Sequence, residues 1–207
     1  NILFSTVYDT DIYPIEISDI SFNKDLKRRV GADNGKKLKS FIDIKFSINK
    51  EVDLKNIQIS KLRLYINTDR QYVPAVYEHL LNKFSHASIL IDGTNEDTLE
   101  LFQIKPVGLS NNENLVPYSG NSHSSYELLG EYFSFPEKYQ FVSFEFNDDY
   151  QFEHHQFTLR LYTDEYNHEF ENLFDRDTLS LNCTPIINLF NTHAEPINYT
   201  TEKHEFL

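Results

Sequence analysis

Residues 41–49 alternate between apolar and polar side chains, and the same period returns further along the chain. Ile42, Ile44, Phe46 and Ile48 fall on one side of an extended segment, with Asp43, Lys45 and Ser47 on the other. Leu62, Leu64 and Ile66 repeat the pattern, as do Val142, Phe144 and Phe146, then Phe157, Leu159 and Leu161. Successive side chains of a strand point to opposite faces, so these segments read as strands with one buried and one solvated face, as antiparallel sheets produce. Ile15, Ile17, Ile20 and Phe22 alternate with a one-residue slip, the pattern of a β-bulge. Six or more such strands with turns between them predict an α+β fold, mainly antiparallel β with sandwich-like sheets and two or three short helices.

Two segments carry the helical period instead. Across residues 73–84 the apolar positions are Val73, Val76, Tyr77, Leu80, Leu81 and Phe84, the spacing of one helix face, with Pro74 near the start where its missing N–H costs nothing. Across residues 124–133, Ser124 and Glu127 are spaced as a capping box, and Tyr126, Leu129, Tyr132 and Phe133 form the apolar stripe. Pro136 blocks continuation of that helix. Residues 105–123 and 148–156, rich in Asn, Ser, Asp and Pro, read as loops. The chain is expected to divide into two β-rich parts, 1–120 with one helix and 121–207.

Composition narrows the partners. With 17 Phe and 13 Tyr, a substantial core can form. The formal net charge of −13, from 32 acids against 19 bases, repels phosphate backbones and disfavours anionic lipid. Apolar runs such as residues 87–91 are far shorter than the roughly 20 residues a membrane-spanning helix needs. The single Cys183 rules out an internal disulfide framework and any CxxC motif, which fits a reducing compartment. The chain holds no Met and opens on Asn1, so it reads as a piece of a longer polypeptide.

Charge is unevenly placed. Residues 24–39 hold seven bases, among them Lys27, Arg28 and Arg29, against two acids. Taking those from the totals of 19 and 32 leaves 12 bases against 30 acids elsewhere. Gly31, Asn34 and Gly35 mark the stretch as a loop or hairpin tip. It reads either as a docking arm for an acidic neighbour, such as another copy of the protein, or as a solvated loop.

Motifs for catalysis are missing. HExxH, GxSxG, GxGxxG and GxxxxGK[ST] do not occur. His154 and His155 are adjacent, and adjacent side chains of an extended segment point apart, so they make a poor metal pair beside Glu153. Cys183 sits in an apolar setting with no histidine close in sequence, as an inert buried thiol would. No catalytic residue, metal site, cofactor or small-molecule substrate is therefore expected.

Two stretches go beyond a generic globular pattern. One runs Ser125-Tyr-Glu-Leu-Leu-Gly-Glu-Tyr-Phe-Ser-Phe-Pro-Glu-Lys-Tyr139; the other runs Leu181-Asn-Cys-Thr-Pro-Ile-Ile-Asn-Leu-Phe190, followed by Ala194-Glu-Pro-Ile197. Both closely resemble signature stretches of the TssF family, the wedge subunits of the type VI secretion baseplate. Residues 62–66 leading into 77–81 resemble the family's strand-then-helix unit, and residues 105–109 and 115–118 its following loop. The resemblance runs from about Asn1 to Glu205 and departs from the family in the Asn-rich loops and the basic stretch. It implies the middle region of a longer, non-catalytic structural protein in the bacterial cytoplasm, docked at the inner face of the inner membrane when assembled. The partners it implies are TssG, TssK, other baseplate subunits, the VgrG spike hub and a second TssF copy. Wedges of this kind surround the spike and template the contractile sheath.

Physically, Pro136 should set a rigid corner with Phe133 and Phe135 buried as anchors. Ile186, Ile187, Leu189 and Phe190 are likewise expected in the core, leaving Asn188, Glu195 and Pro196 to meet a neighbour. Two rival readings make different demands. A stand-alone β-sandwich module for a protein or glycan needs an aromatic groove, and a hydrolase needs a pocket of convergent titratable groups.

Overall fold

The alternation along residues 41–49 is realised as an interior strand in which Ile42, Ile44, Phe46 and Ile48 are all buried. The computed structural model describes residues 3–25, 37–91, 95–99, 102–115, 123–150 and 152–189. Lys27, Arg28, Arg29, Phe190, Glu195 and Pro196 lie outside the described residues. In chain order the strands are β1 (Ser5–Thr6), β2 (Ile15–Lys24), β3 (Ser40–Ile48), β4 (Ile59–Ile66), β5 (Phe84–Ile91) and β6 (Asn95–Leu99). They continue with β7 (Gln103–Pro106), β8 (Phe141–Tyr150), β9 (Gln156–Thr163), β10 (Leu179–Ser180) and β11 (Ile186–Ile187). The helices are α1 (Val73–Asn82), α2 (Ser124–Ser134) and the single turn α3 (Phe170–Leu173).

Among the described residues these strands form three antiparallel sheets, ordered β2-β3-β9-β5-β6, β10-β4-β8-β7 and β1-β11. One apolar core joins the inner faces of the two larger sheets: Ile42, Ile44, Leu159 and Leu161 come from one, Leu62, Leu64, Val142 and Phe144 from the other. The fold is thus α+β, mainly antiparallel and sandwich-like. Among the described residues pairing crosses residue 120 six times, between β1 and β11, β4 and β10, β3 and β9, β4 and β8, β5 and β9, and β7 and β8. The slip in β2 is a bulge between Ile17 and Asp19, where the Ser18 hydroxyl donates to the Lys45 carbonyl at 3.1 Å. On the outer face, Arg160 grips Asp43 through two bonds of 2.6 Å and stacks over Phe41.

Three expectations need correcting. The first helix stops at Asn82, and Phe84 starts β5 instead of ending the helix. β5 escaped the alternation test because Ala87, Ser88, Ile89 and Leu90 are all buried. A strand covered on both faces reads as a continuous apolar run. The segments whose composition reads as loop also contribute strand: residues 105–106 belong to β7, and β8 continues to Tyr150. Among the described residues β7 lies at a sheet edge and pairs only with β8, so it tolerates polar residues and the closing Pro106.

The corner after α2 is held by polar contacts. Pro136 opens a 3-10 turn, Pro136–Tyr139, that leads into β8. Within it Lys138 has no accessible surface, and its ammonium meets the buried Glu131 carboxylate of α2. Glu131 also accepts from the Leu115 N–H at 2.6 Å and the Tyr139 hydroxyl at 3.2 Å. The Lys138 carbonyl accepts the Tyr8 hydroxyl at 2.8 Å. Burial foremost holds the Tyr8 and Tyr139 hydroxyls well above their usual range, so both keep the protons they donate. Gly108, at φ +93°, lets the chain pass: a Cβ there would come within 2.6 Å of the Tyr8 oxygen and 3.2 Å of the Lys138 carbonyl.

Two measurements check this arrangement. Lys138→Met strands a buried carboxylate and should cost about 3–5 kcal/mol in urea denaturation. Adding Glu131→Leu should recover most of that loss, whereas additive losses would show that the two residues do not act as a pair. The second concerns His79, which is only 4% exposed and packs against the edges of Phe22 and Phe170. Burial pushes its pKa down to about 4 from 6.5. The unfolded chain then binds a proton that the fold refuses, so this stability is complete above pH 6.5 and drains away as pH falls towards 4. Between pH 7.5 and pH 5 the protein should lose about 2 kcal/mol more than a His79→Leu variant. Equal pH slopes in the two proteins would refute that role.

Candidate protein-docking site

α2 is amphipathic in the reverse sense to the expected one. His123, with extended backbone, caps it by accepting the Ser125 N–H on Nδ1 at 3.3 Å, so the Ser124–Glu127 box does not form; Ser124 already lies inside the helix. Glu131 is the buried residue of the helix, and Glu127 faces Asn114, whose amide donates at 3.5 Å. Residues two apart on a helix differ by about 200°, so turning Glu127 and Glu131 inward turns Leu129 and Phe133 outward. Phe133 is accordingly 81% exposed and Tyr126 75%, with Leu129 and Tyr132 half exposed. Phe135 is only half-buried. The expected burial of Phe133 fails because the ion pair with Lys138, not the apolar stripe, sets the rotation of the helix.

Beside α2 lies a groove of about 630 Å³. One wall is the helical stripe Glu127, Gly130, Glu131 and Ser134; the other is residues 186–189. The apolar side chains of that second wall were expected in the core. Instead Ile186 is 55% and Leu189 59% exposed, and Ile187 is partly so. β11 belongs to neither large sheet; it pairs with β1, supported by the Val7 N–H bond to the Pro185 carbonyl at 2.9 Å. Its side chains therefore line a surface. Asn188 is exposed on the same wall, the one candidate interface residue from the sequence that falls within the described residues. A second cavity of about 480 Å³ separates α2 from α1, with Tyr77, Leu109, Tyr132 and Tyr139 on its sides.

Gly130 belongs to this surface. A Cβ added there would meet nothing within 4 Å among the described residues. Glycine inside a helix costs about 1 kcal/mol relative to alanine, and no neighbour of Gly130 in the fold requires it.

The remaining chemistry is sparse. Among the described residues no group of three or more His, Cys, Asp or Glu could hold a metal ion. The Cys183 thiol is half-buried and donates to the Leu181 carbonyl at 3.4 Å; burial pushes its pKa up, away from the thiolate. What the surface offers is exposed apolar area, which suits protein binding. Helical periodicity located the apolar stripe of α2 but carried no sign of which side faces inward. The nearest signal was a glutamate on the opposite side of the helix, followed seven residues later by Lys138 behind a proline.

Comparison with known proteins bears on this surface. The family model for TssF of the type VI secretion system matches residues 1–207. The chain is 21% identical over 207 residues to the type VI secretion system component TssF1 of Pseudomonas aeruginosa, covering 98% of this chain and 33% of that protein. It also resembles a chain in the cryo-electron microscopy structure of the type VI secretion TssK-TssF-TssG baseplate subcomplex. That match has a TM-score of 0.75 at 21% identity and covers 95% of this chain and 36% of that one, a likeness of fold. The chain thus spans about a third of the length of each relative. From the family match along its whole length, the chain belongs to the TssF family of the type VI secretion system.

Proposed function

We propose that this chain is the middle part of a structural subunit of a type VI secretion baseplate, working by holding neighbouring subunits and not by catalysis. The observation that carries the proposal is the family match along all 207 residues. The outward apolar face of α2 supports it, since a contiguous exposed apolar surface marks an interaction site. A hydrolase would instead need a nucleophile or a paired acid and base, and the protonated thiol of Cys183 does not offer one.

The partners follow from the relatives. A TssG-like and a TssK-like subunit are proposed because the solved relative stands in a TssK-TssF-TssG complex. The VgrG hub and a second copy of the protein extend the proposal to the rest of the wedge. The site of action is the cytoplasmic face of the inner membrane; among the described residues no helix is long and apolar enough to cross a membrane. In this reading Lys27, Arg28 and Arg29 supply a basic contact to an acidic neighbour, and Asn188, Glu195 and Pro196 are further residues that meet a partner. A free-standing β-sandwich module has no observation in its favour beyond the sandwich itself.

Affinity purification of the full-length protein from the native cell should bring down TssG-like and TssK-like subunits. Purification without either would contradict the proposal. Reversing Lys27, Arg28 and Arg29 to Glu should lower that recovery several-fold at low salt and less at high salt, because screening already weakens the wild-type contact. Recovery unchanged at every salt concentration would remove the basic stretch from the interface.

A further inference from the structure

The groove between α2 and β11 differs from the exposed face of the helix in its chemistry. Its apolar lining comes from Leu115, Phe135, Ile186 and Leu189. Its polar side chains are Glu127, Glu131, Ser134 and Asn188, so its only ionisable groups among the described residues are carboxylates. Glu127 brings a carboxylate, which also accepts from the Asn114 amide at 3.5 Å, and the Ser134 hydroxyl donates its proton to the Gly130 carbonyl at 2.8 Å. No lysine, arginine or histidine lines it among the described residues. α2 itself carries no base, and its last turn has none to complement the negative end of the helix dipole. Lys138, the cation beneath, is fully buried against Glu131 and cannot turn outward.

Gly130 sits in the middle of the helical wall, with open space where a side chain would project. A helix accepts the loss of stability that glycine brings when something must come close to its backbone. Taken with the carboxylates of the lining, the shape and charge select the occupant. We infer that the groove receives a peptide segment of a partner subunit, with apolar side chains packed on Leu115, Phe135 and Leu189 and a lysine or arginine directed to Glu127 and the end of α2. This deepens the assembly reading above and rests on it. A second copy presenting the same groove is disfavoured, because among the described residues that groove brings no lysine, arginine or histidine of its own to meet Glu127.

The test uses the full-length protein co-expressed with its TssG-like and TssK-like subunits, with p-benzoylphenylalanine in place of Leu189. Illumination should cross-link it to one of those subunits, at a peptide containing lysine or arginine. Gly130→Leu should cut recovery of that subunit at least tenfold without lowering the unfolding temperature, because the added side chain projects into the groove. Glu127→Lys should also cut it, by reversing the charge that the basic residue meets. Cross-links that stay within the same chain, or that join two copies, would overturn the inference. So would wild-type recovery from both Gly130→Leu and Glu127→Lys, even while the assembly reading stands. If the unaltered protein recovers neither subunit, the assembly reading fails and the inference falls with it.

Discussion

A lysine ammonium removed from water is costly unless a carboxylate and further hydrogen bonds replace its hydration, and the Lys138–Glu131 pair meets that condition. The pair lies at the meeting point of three pieces of chain. Glu131 reaches from α2 to the backbone at Leu115, Lys138 sits in the turn before β8, and Tyr8 ties the same turn to the start of the chain. Gly108 has to be a glycine because this junction leaves no room for a side chain. The orientation of α2 follows from it. With both glutamates turned inward, the tyrosines and phenylalanine of the helix have only the outside to occupy.

The remainder of the fold is a more ordinary product of patterning. Alternating Ile and Phe side chains on β3, β4, β8 and β9 close a core between two antiparallel sheets, with His79 held neutral among the aromatic rings at its margin. That rigid sandwich carries the corner and presents α2 with the β11 segment beside it. Structure and function are thus divided. The sandwich supplies stability, and the surface that breaks the usual inside-out rule is the one proposed to supply the contact.

Much of the sandwich was legible in the sequence, and the reasons are physical. A strand with one wet face shows its period directly, which is how residues 41–49 and the bulge near Ser18 were found. β5 was not, because a strand buried on both faces has no period to show. The apolar stripe of α2 was visible, but its direction was not: a helical period says that two faces differ and leaves open which one is buried. Only a long-range partner settles that, and Lys138 could not be recognised as buried before the fold placed it. For the same reason Ile186 and Leu189 passed for core residues, since an apolar side chain at a surface and one inside look alike in sequence.

The central claim is that the outward face of α2 exists to be covered. Hydroxyl-radical footprinting reads the solvent access of aromatic side chains, so it can be applied to the full-length protein alone and in complex with its TssG-like and TssK-like subunits. In the free protein Tyr126, Tyr132 and Phe133 should be among the most heavily labelled aromatics, and in the complex their labelling should fall several-fold. Equal labelling of these three residues in both states would contradict the account.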